Sequence, residues 1–142
     1  MLTFISNYRT AWNDYFPGTS PTILPSQTYG SRQTSSNPYV YVSNSLFISI
    51  TSSSHGGAFF CSTSVTYLLI ESTSFFTCKT SSSYGGAVYF SNTNNGQCVL
   101  YGVCGYDCCS TYTSYSEGQF ARVYVCNTIS SKNYVNYSSI AR

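Results

Sequence analysis

Charge is the property that this sequence has least of. Asp, Glu, Lys and Arg make up 7% of its 142 residues and leave a net charge of +2, whereas about 25% of the residues of an average globular protein are charged. The six Lys and Arg residues are scattered singly along the chain, so they form no basic patch of the kind that binds nucleic acid or an anionic membrane surface. We therefore expect no nucleic-acid partner.

Long apolar runs are scarce as well. No stretch of the sequence approaches the ~20 apolar residues that a membrane-spanning helix requires, so we expect no membrane span in this chain. The apolar run Leu2–Ile5 is too short for the core of a signal peptide. Two interpretations stay open: a cytoplasmic protein, or a fragment of a longer chain whose targeting segment lies elsewhere.

Polar, β-branched and aromatic residues take the place of the charged ones. Ser, Thr and Asn make up more than a third of the chain, and aromatic residues, led by 15 Tyr, make up 18%. Disordered chains are usually rich in charge and poor in aromatic residues. The strong helix formers Ala, Glu, Lys, Leu and Arg are few beside the residues that favour strands. The composition therefore predicts an ordered, β-rich chain with a polar surface.

The chain has seven cysteines, an odd number that cannot be fully paired within one molecule. Three of them, Cys104, Cys108 and Cys109, have the spacing CxxxCC, which lacks the paired CxxC and nearby His of a structural zinc site. We therefore predict no metal site. The simplest interpretation is that most of the seven are small apolar side chains in a core. Disulfides are the alternative if the chain is extracellular.

Two segments of the sequence are closely similar. Residues 51–60 (TSSSHGGAFF) and 80–89 (TSSSYGGAVY) share seven of ten residues at a spacing of 29, and residues 39–50 correspond to 67–78 at a spacing of 28. A weaker third copy begins at Cys98. A fixed period of this size indicates a repeat architecture. The units that we predict span residues 39–66, 67–97, 98–126 and, in part, 127–142, after an irregular N-terminal segment or cap over residues 1–38.

Each unit contains three short β-favouring runs separated by Ser, Asn and Gly. Such runs are typical of strands and turns, and no helix lies between them to make a βαβ crossover. A coil of parallel strands fits this pattern, with successive turns of the coil, or rungs, stacked ~4.8 Å apart through backbone hydrogen bonds. The sequence therefore predicts an all-β fold, a right-handed parallel β-helix of about three rungs.

Equivalent residues of successive rungs should stack in columns inside such a coil. We expect two apolar columns, one formed by Phe47, Phe75 and Tyr106, the other by Ile50, Cys78 and Cys109. The Gly-Gly-Ala units should form the tight corners, because glycine allows a positive φ or a close backbone approach. These structural residues are Gly56, Gly57, Ala58, Gly85, Gly86 and Ala87.

Candidate catalytic groups are few. The four carboxylates, Asp14, Glu71, Asp107 and Glu117, show no clustering when the repeats are aligned, whereas glycoside hydrolysis needs two carboxyl groups across the sugar. The single histidine, His55, is predicted to be an exposed turn residue. We therefore expect no catalytic residues, no cofactor and no enzyme activity. Asn136 begins a glycosylation sequon that is used only if the chain is secreted.

The Gly-Gly-Ala units resemble those of known proteins. GGAFF at Gly56–Phe60 and GGAVYF at Gly85–Phe90 are similar to the GGA(I/V) repeats of polymorphic-membrane-protein-like surface proteins and to right-handed β-helix families of parasitic protists. FxxC or FxxN strands accompany the GGA units of these families. Phe75–Cys78 matches FxxC, whereas Phe47–Ile50 departs from it at the last residue. The resemblance covers residues 39–126 and implies a surface-exposed, non-catalytic passenger or adhesin-type domain.

These observations predict a structural or adhesive surface module without catalysis. We expect it at the cell surface or outside the cell, as part of a longer repeat array, with a surface protein or glycan of the host or of its own cell as partner. Outward-pointing Tyr side chains would suit such contacts, because they add contact area at low entropic cost. Two alternatives are a carbohydrate-binding or carbohydrate-processing β-helix remnant and a small disulfide-rich secreted β domain.

Overall fold

The computed structural model describes residues 12–111, 119–125 and 130–141. Within these residues the regular structure is one short helix and 17 strands. In chain order these are α1 (Trp12–Tyr15), β1 (Thr22–Leu24), β2 (Thr28–Tyr29), β3 (Gln33–Ser35), β4 (Tyr39–Ser43), β5 (Leu46–Ile48), β6 (Thr51–Ser52), β7 (Phe59–Cys61), β8 (Tyr67–Glu71), β9 (Ser74–Phe76), β10 (Lys79–Thr80), β11 (Val88–Asn92), β12 (Gln97–Tyr101), β13 (Cys104–Tyr106), β14 (Cys109–Ser110), β15 (Ala121–Val125), β16 (Tyr134–Asn136) and β17 (Ser139–Ala141). The all-β prediction is confirmed.

The strands form four sheets, in which every strand pairs in parallel with its neighbours. Sheet 1 has the order β1-β4-β8-β12-β16 and sheet 2 the order β2-β5-β9-β13-β17. Sheet 3 consists of β6-β10-β14, and sheet 4 of β3-β7-β11-β15. From β4 onward the chain runs through sheets 1, 2, 3 and 4 in that order three times, and we call each run a passage.

The path from sheet 1 to sheet 3 has the same length in all three passages. It covers 12 positions from the first residue of the sheet 1 strand to the first residue of the sheet 3 strand: Tyr39 to Thr51, Tyr67 to Lys79 and Gln97 to Cys109. The return to sheet 1 takes 16 positions in the first passage and 18 in the second, from Thr51 to Tyr67 and from Lys79 to Gln97. The difference in length between these two passages is therefore confined to the return to sheet 1.

The two corners of the constant path repeat the same backbone conformation. The corner between sheets 1 and 2 contains a residue with positive φ in each passage: Asn44 (47°), Ser72 (46°) and Gly102 (61°). The corner between sheets 2 and 3 does likewise at Ser49 (54°), Thr77 (53°) and Asp107 (50°). This left-handed region favours Gly, Asn and Asp over bulky residues. The residue types differ while the conformation is kept, so sequence comparison did not reveal these corners.

Strand side chains of sheets 1, 2 and 4 meet in one apolar cluster. In sheet 1, Val40 and Val42 enter this cluster while Tyr41 between them points to the other side, as the two-residue period of a strand requires. Aromatic rings stack within the core at centroid distances of 4.8 Å, from Tyr29 to Phe47 and from Phe47 to Phe75. The predicted neighbours Phe47 and Phe75 lie directly opposite each other.

The predicted columns differ from the structure by one residue in the third passage. Phe75 lies opposite Gly105, whereas Tyr106 lies opposite Phe76 and is 53% exposed. A Cβ atom on Gly105 would lie 2.5 Å from the ring of Phe120, so this ring occupies the space above Gly105. The alignment failed because it assigned the core position to the aromatic residue next to a glycine, and a shift of one residue turns a strand side chain to the opposite face.

The same shift affects the cysteine column. Cys109 lies opposite Lys79, so the position next to Cys78 belongs to Cys108. The backbone N–H of Cys78 donates to the Cys108 sulfur at 3.4 Å. Each of these two thiols also donates to a phenylalanine carbonyl of the preceding passage, Cys78 to Phe47 at 3.6 Å and Cys108 to Phe75 at 3.3 Å.

The N-terminal segment is more regular than predicted. Strands β1, β2 and β3 extend sheets 1, 2 and 4 by one strand each. Helix α1 lies against the outer face of sheet 1, where Trp12 and Phe16 pack on Tyr41, Leu69 and Val99 in a second apolar cluster. The indole N–H of Trp12 donates to the carbonyl and hydroxyl of Thr19, both at 3.1 Å. We predicted an irregular segment or cap here because the segment contains four prolines, whereas the sheets supply pairing partners for the short strands between them.

The Gly-Gly corners bring two stretches of backbone into contact. Gly56 and Gly85 have φ values of 66° and 71°, which side chains rarely permit. A Cβ on Gly57 would lie 2.0 Å from the carbonyl oxygen of Gly86 and 2.6 Å from that of Lys79. Since both neighbours are backbone atoms, they cannot move aside without disturbing the pairing of the passages.

A buried-leucine pair tests the packing of α1. Leu68 and Leu69 are both fully buried, but Leu68 faces the main core and Leu69 lies beneath Trp12. Either substitution by Ala should cost about 2–5 kcal/mol of unfolding free energy. Only Leu69→Ala loosens the packing of the chain's single tryptophan, so we expect a red shift of its fluorescence in native buffer. Identical emission spectra for Leu68→Ala and Leu69→Ala would contradict this packing.

Alanine substitution of Gly57 tests the corner at which the two stretches of backbone approach each other closely. Gly57→Ala should lower the free energy of unfolding by about 3 kcal/mol, measured by urea unfolding. Gly30→Ala is the control, because a Cβ on Gly30 meets no atom within 4 Å, and its effect should stay within about 0.5 kcal/mol. Equal stability of the two variants would show that the backbone approach at Gly57 is not as described.

Candidate arginine–aromatic ladder

One group of stacked aromatic and cationic side chains lies on the outer face of sheet 4 and the adjoining corner. Its members are half-buried rather than covered by another element. We call this group the arginine–aromatic ladder; it consists of Arg32, His55, Phe60, Tyr84, Tyr89 and Arg122.

Strand register places the ladder on the outer face. Phe60 lies opposite Tyr89, and Tyr89 lies opposite Arg122, in three neighbouring strands of sheet 4. Their chain neighbours Phe59 and Val88 are fully buried in the core, so alternation turns Phe60 and Tyr89 outward. The two rings stack with centroids 5.6 Å apart and planes inclined by 18°.

The Ser-rich corners add two more rings. His55 and Tyr84 are equivalent corner residues, and their rings stack at 5.5 Å with planes inclined by 10°. His55 also stacks on Tyr89 at 4.4 Å, and its Nδ1 is hydrogen-bonded to the hydroxyl of Ser83. We predicted an exposed turn residue at His55. The structure instead half-buries it between two aromatic rings, because the corner folds back over the outward side chain of β11.

Two guanidinium groups complete the ladder. Arg32 lies 5.0 Å from the Phe60 ring centroid and donates through Nε to the carbonyl of Gly56 at 2.9 Å and through Nη2 to that of His55 at 2.7 Å. Arg122 lies 4.1 Å from the Tyr84 ring centroid. Both distances are within the ~6 Å range of cation–π attraction. The neighbouring corners of His55 and Tyr84 are therefore held from both sides, in each case by a guanidinium stacked on an aromatic ring.

The environment of His55 disfavours its charged form. Partial burial lowers the pKa of this imidazole, and the nearby charges of Arg122 and Arg32 lower it further. Burial also lowers the pKa of Arg32, although a guanidinium stays protonated at any physiological pH.

The carboxylates Glu71 and Asp107 are engaged elsewhere. Glu71, in sheet 1, accepts a hydrogen bond of 2.5 Å from the hydroxyl of Tyr41, and burial together with this bond raises the pKa of Tyr41 to about 12. Asp107 forms an ion pair of 2.9 Å with Lys79. Asp14 lies in α1, and Glu117 is outside the described residues. The ladder is thus built from ring faces and cations, which suit binding.

The remaining predicted site residues lie apart from the ladder or beneath it. Gly56 and Gly85 directly follow His55 and Tyr84 and give their corners the positive φ. Ala58 and Ala87 are fully buried. Asn136 ends β16 with an exposed side chain, and its glycosylation stays a prediction. Sequence analysis missed Arg32 and Arg122, although the outward alternation of Phe60 and Tyr89 after each Gly-Gly-Ala unit was a usable signal.

Six of the seven cysteines lie in the described residues, and all six are free thiols. Cys104 is exposed and the other five are buried; Cys126 is outside the described residues. Burial raises the pKa of Cys98 to about 12. Among the residues that the structure describes, no three His, Cys, Asp or Glu side chains group as metal ligands, and no helix is long and apolar enough to span a membrane.

The stacked histidine gives stability a pH dependence with a defined sign. The folded-state pKa of His55 lies below the value of about 6.5 expected for the unfolded chain. The unfolded state therefore binds a proton more readily, and stability should fall as pH drops from 7 toward 5. Thermal unfolding in this range measures the effect. His55→Tyr, which copies the equivalent Tyr84, should flatten the profile, and an unchanged profile would assign the dependence to other groups.

Comparison with known proteins identifies no relative of this chain. No protein-family model matches the chain, and no curated protein or solved structure matches it significantly. Function must therefore be inferred from the residues themselves.

Proposed function

We propose that the four sheets are the sides of a right-handed parallel β-helix, in which each passage is one rung. Three observations support this architecture: the constant order of the sheets, the parallel pairing of every passage with the next, and the apolar cluster shared by sheets 1, 2 and 4. The right-handed sense follows from the strong preference of parallel strand connections for that hand. Residues 22–35 would then belong to a first, incomplete rung.

We propose further that the chain is a non-catalytic structural or adhesive surface module, as its resemblance to polymorphic-membrane-protein-like and protist β-helix proteins implies. The observation that carries this proposal is the arginine–aromatic ladder. Phe60, Tyr89 and Arg122 stand on strands of sheet 4, and stacking holds the corner residues His55 and Tyr84 against them, so their positions are fixed before a partner arrives. Tyr and Arg are the residue types that contribute most to protein recognition surfaces.

A different face of the molecule is less suited to this role. The outer face of sheet 1 is also rich in aromatic residues, but Trp12 and Phe16 cover Tyr41, and Tyr39 and Tyr67 pack against the same cluster. Phe16 stacks on Tyr67 with ring centroids 4.7 Å apart. These tyrosines contribute to stability, which leaves the ladder on sheet 4 as the favoured contact surface.

Adhesion of coated beads tests the proposal. Beads carrying the chain are applied to immobilised glycans, to immobilised proteins and to cultured cells, and retention under flow is counted. The double variant Phe60→Ser/Tyr89→Ser should reduce retention about tenfold or more, as expected if a recognition hot spot is lost. The control is Ile23→Ser/Tyr106→Ser, which removes two exposed side chains from other sheets.

Thermal unfolding of both double variants establishes that they fold before their retention is compared. Absence of retention of the wild-type beads on every surface would refute an adhesive role. Equal losses in the two double variants would refute the assignment of that role to the ladder.

A further inference from the structure

A groove with a volume of about 310 Å³ runs beside the ladder at the edge of sheet 4. This volume is at the small end of the range of ligand-binding clefts. The lining combines one aromatic ring, one guanidinium and several hydroxyl groups: Phe60, Arg32, Thr34, Ser35, Ser36 and Ser62.

Strand pairing fixes the layout of the groove. β3 is the edge strand of sheet 4, and Thr34 in β3 lies opposite Phe60 in β7. The Phe60 ring therefore lies beside the Thr34 side chain on the outer face. Ser36 directly follows the last residue of β3, and Ser62 directly follows the last residue of β7. The groove therefore has an apolar side at Phe60 and a polar side at these hydroxyls.

Arg32 brings a positive charge that its neighbours do not neutralise. Two of its N–H groups donate to the backbone carbonyls of Gly56 and His55, and a guanidinium has five N–H donors in all. Among the described residues, the structure shows no ion pair of Arg32 with Asp14, Glu71 or Asp107, and the last of these pairs with Lys79. Donors therefore remain for an anion on the groove side.

We propose that this groove binds a saccharide that carries an anionic group, a carboxylate or a sulfate. The proposal rests on the adhesive function proposed above and names the chemistry of its partner. Arg32 and Tyr89 cover the two faces of the Phe60 ring, so an apolar part of the sugar would pack against the edge of that ring. The anionic group would accept hydrogen bonds from Arg32, and the sugar hydroxyls would pair with those of Thr34, Ser36 and Ser62. An apolar ring edge, a guanidinium and several hydroxyls match a charged sugar better than an acidic peptide, which has fewer hydroxyl partners to offer.

A matched set of tetrasaccharides tests this inference on the full chain. The probes are cellotetraose, its derivative oxidised to carboxylate at C6 and its derivative sulfated at C6, with a tetraglutamate peptide as the competing class. Calorimetry should give at least one acidic saccharide an affinity ten times or more above that of neutral cellotetraose and of the peptide. The stronger of the two acidic probes then identifies the anionic group. Equal binding of the neutral and acidic sugars, tighter binding of the peptide, or no binding would overturn the proposal.

Variants locate the binding at the groove. Arg32→Gln should weaken binding of the acidic saccharide tenfold or more, and Lys79→Gln, which removes the same charge from sheet 3, should leave it within twofold. Equal weakening in both variants would assign binding to net charge and overturn the site. Phe60→Leu keeps an apolar side chain but removes the ring on which the Arg32 guanidinium stacks, so it should also weaken binding.

Misfolding of Arg32→Gln would also weaken binding, because the Arg32 side chain supports the His55 corner. A measurement on the unmodified chain separates these two causes. Amide chemical shifts followed during titration with the acidic saccharide should move at Thr34, Ser35, Ser36 and Ser62. Shifts elsewhere, with these four unmoved, would overturn the site. Beads that adhere through the ladder to a protein-coated surface while no acidic saccharide binds would reject this inference and leave the adhesive function standing.

Discussion

Parallel backbone pairing between equivalent strands is the interaction on which the rest of this molecule depends. Strands of two or three residues, such as β6 and β10, have too few hydrogen bonds to persist alone, and each bond contributes only about 1 kcal/mol net. They persist because the same register continues through the corners. There the backbone N–H of Asn44 donates to the backbone carbonyl of Glu71, and that of Ser72 donates to the carbonyl of Tyr101. The close contact of Gly57 with Gly86 is part of this continuity.

The same register builds the outer surface. Once Phe59 and Val88 enter the core, Phe60 and Tyr89 must point outward and meet across neighbouring strands. Arg122 follows opposite Tyr89. Phe60, Tyr89 and Arg122 take their positions from strand pairing, so a loss of register would also remove this part of the ladder.

The repeat was sufficient to predict β structure and the pairing of the first two passages. It predicted the neighbours Phe47 and Phe75 because both passages have the same length from sheet 1 to sheet 3 and an aromatic residue at the same place. It failed in the third passage, where Gly105 lies opposite Phe75 without a side chain and the ring of Phe120, just before β15, fills the space. Such compensation by a residue far along the chain is invisible to a local pattern.

The constant path from sheet 1 to sheet 3 and the variable return have different evolutionary freedom. Insertion or deletion of one residue within a strand of the constant path would turn the rest of that strand's side chains to the wrong face, whereas the return is two positions longer in the second passage than in the first. That return includes the corners of His55 and Tyr84, next to the ladder. New recognition loops could thus be grafted beside the contact surface while the apolar interior keeps its original spacing.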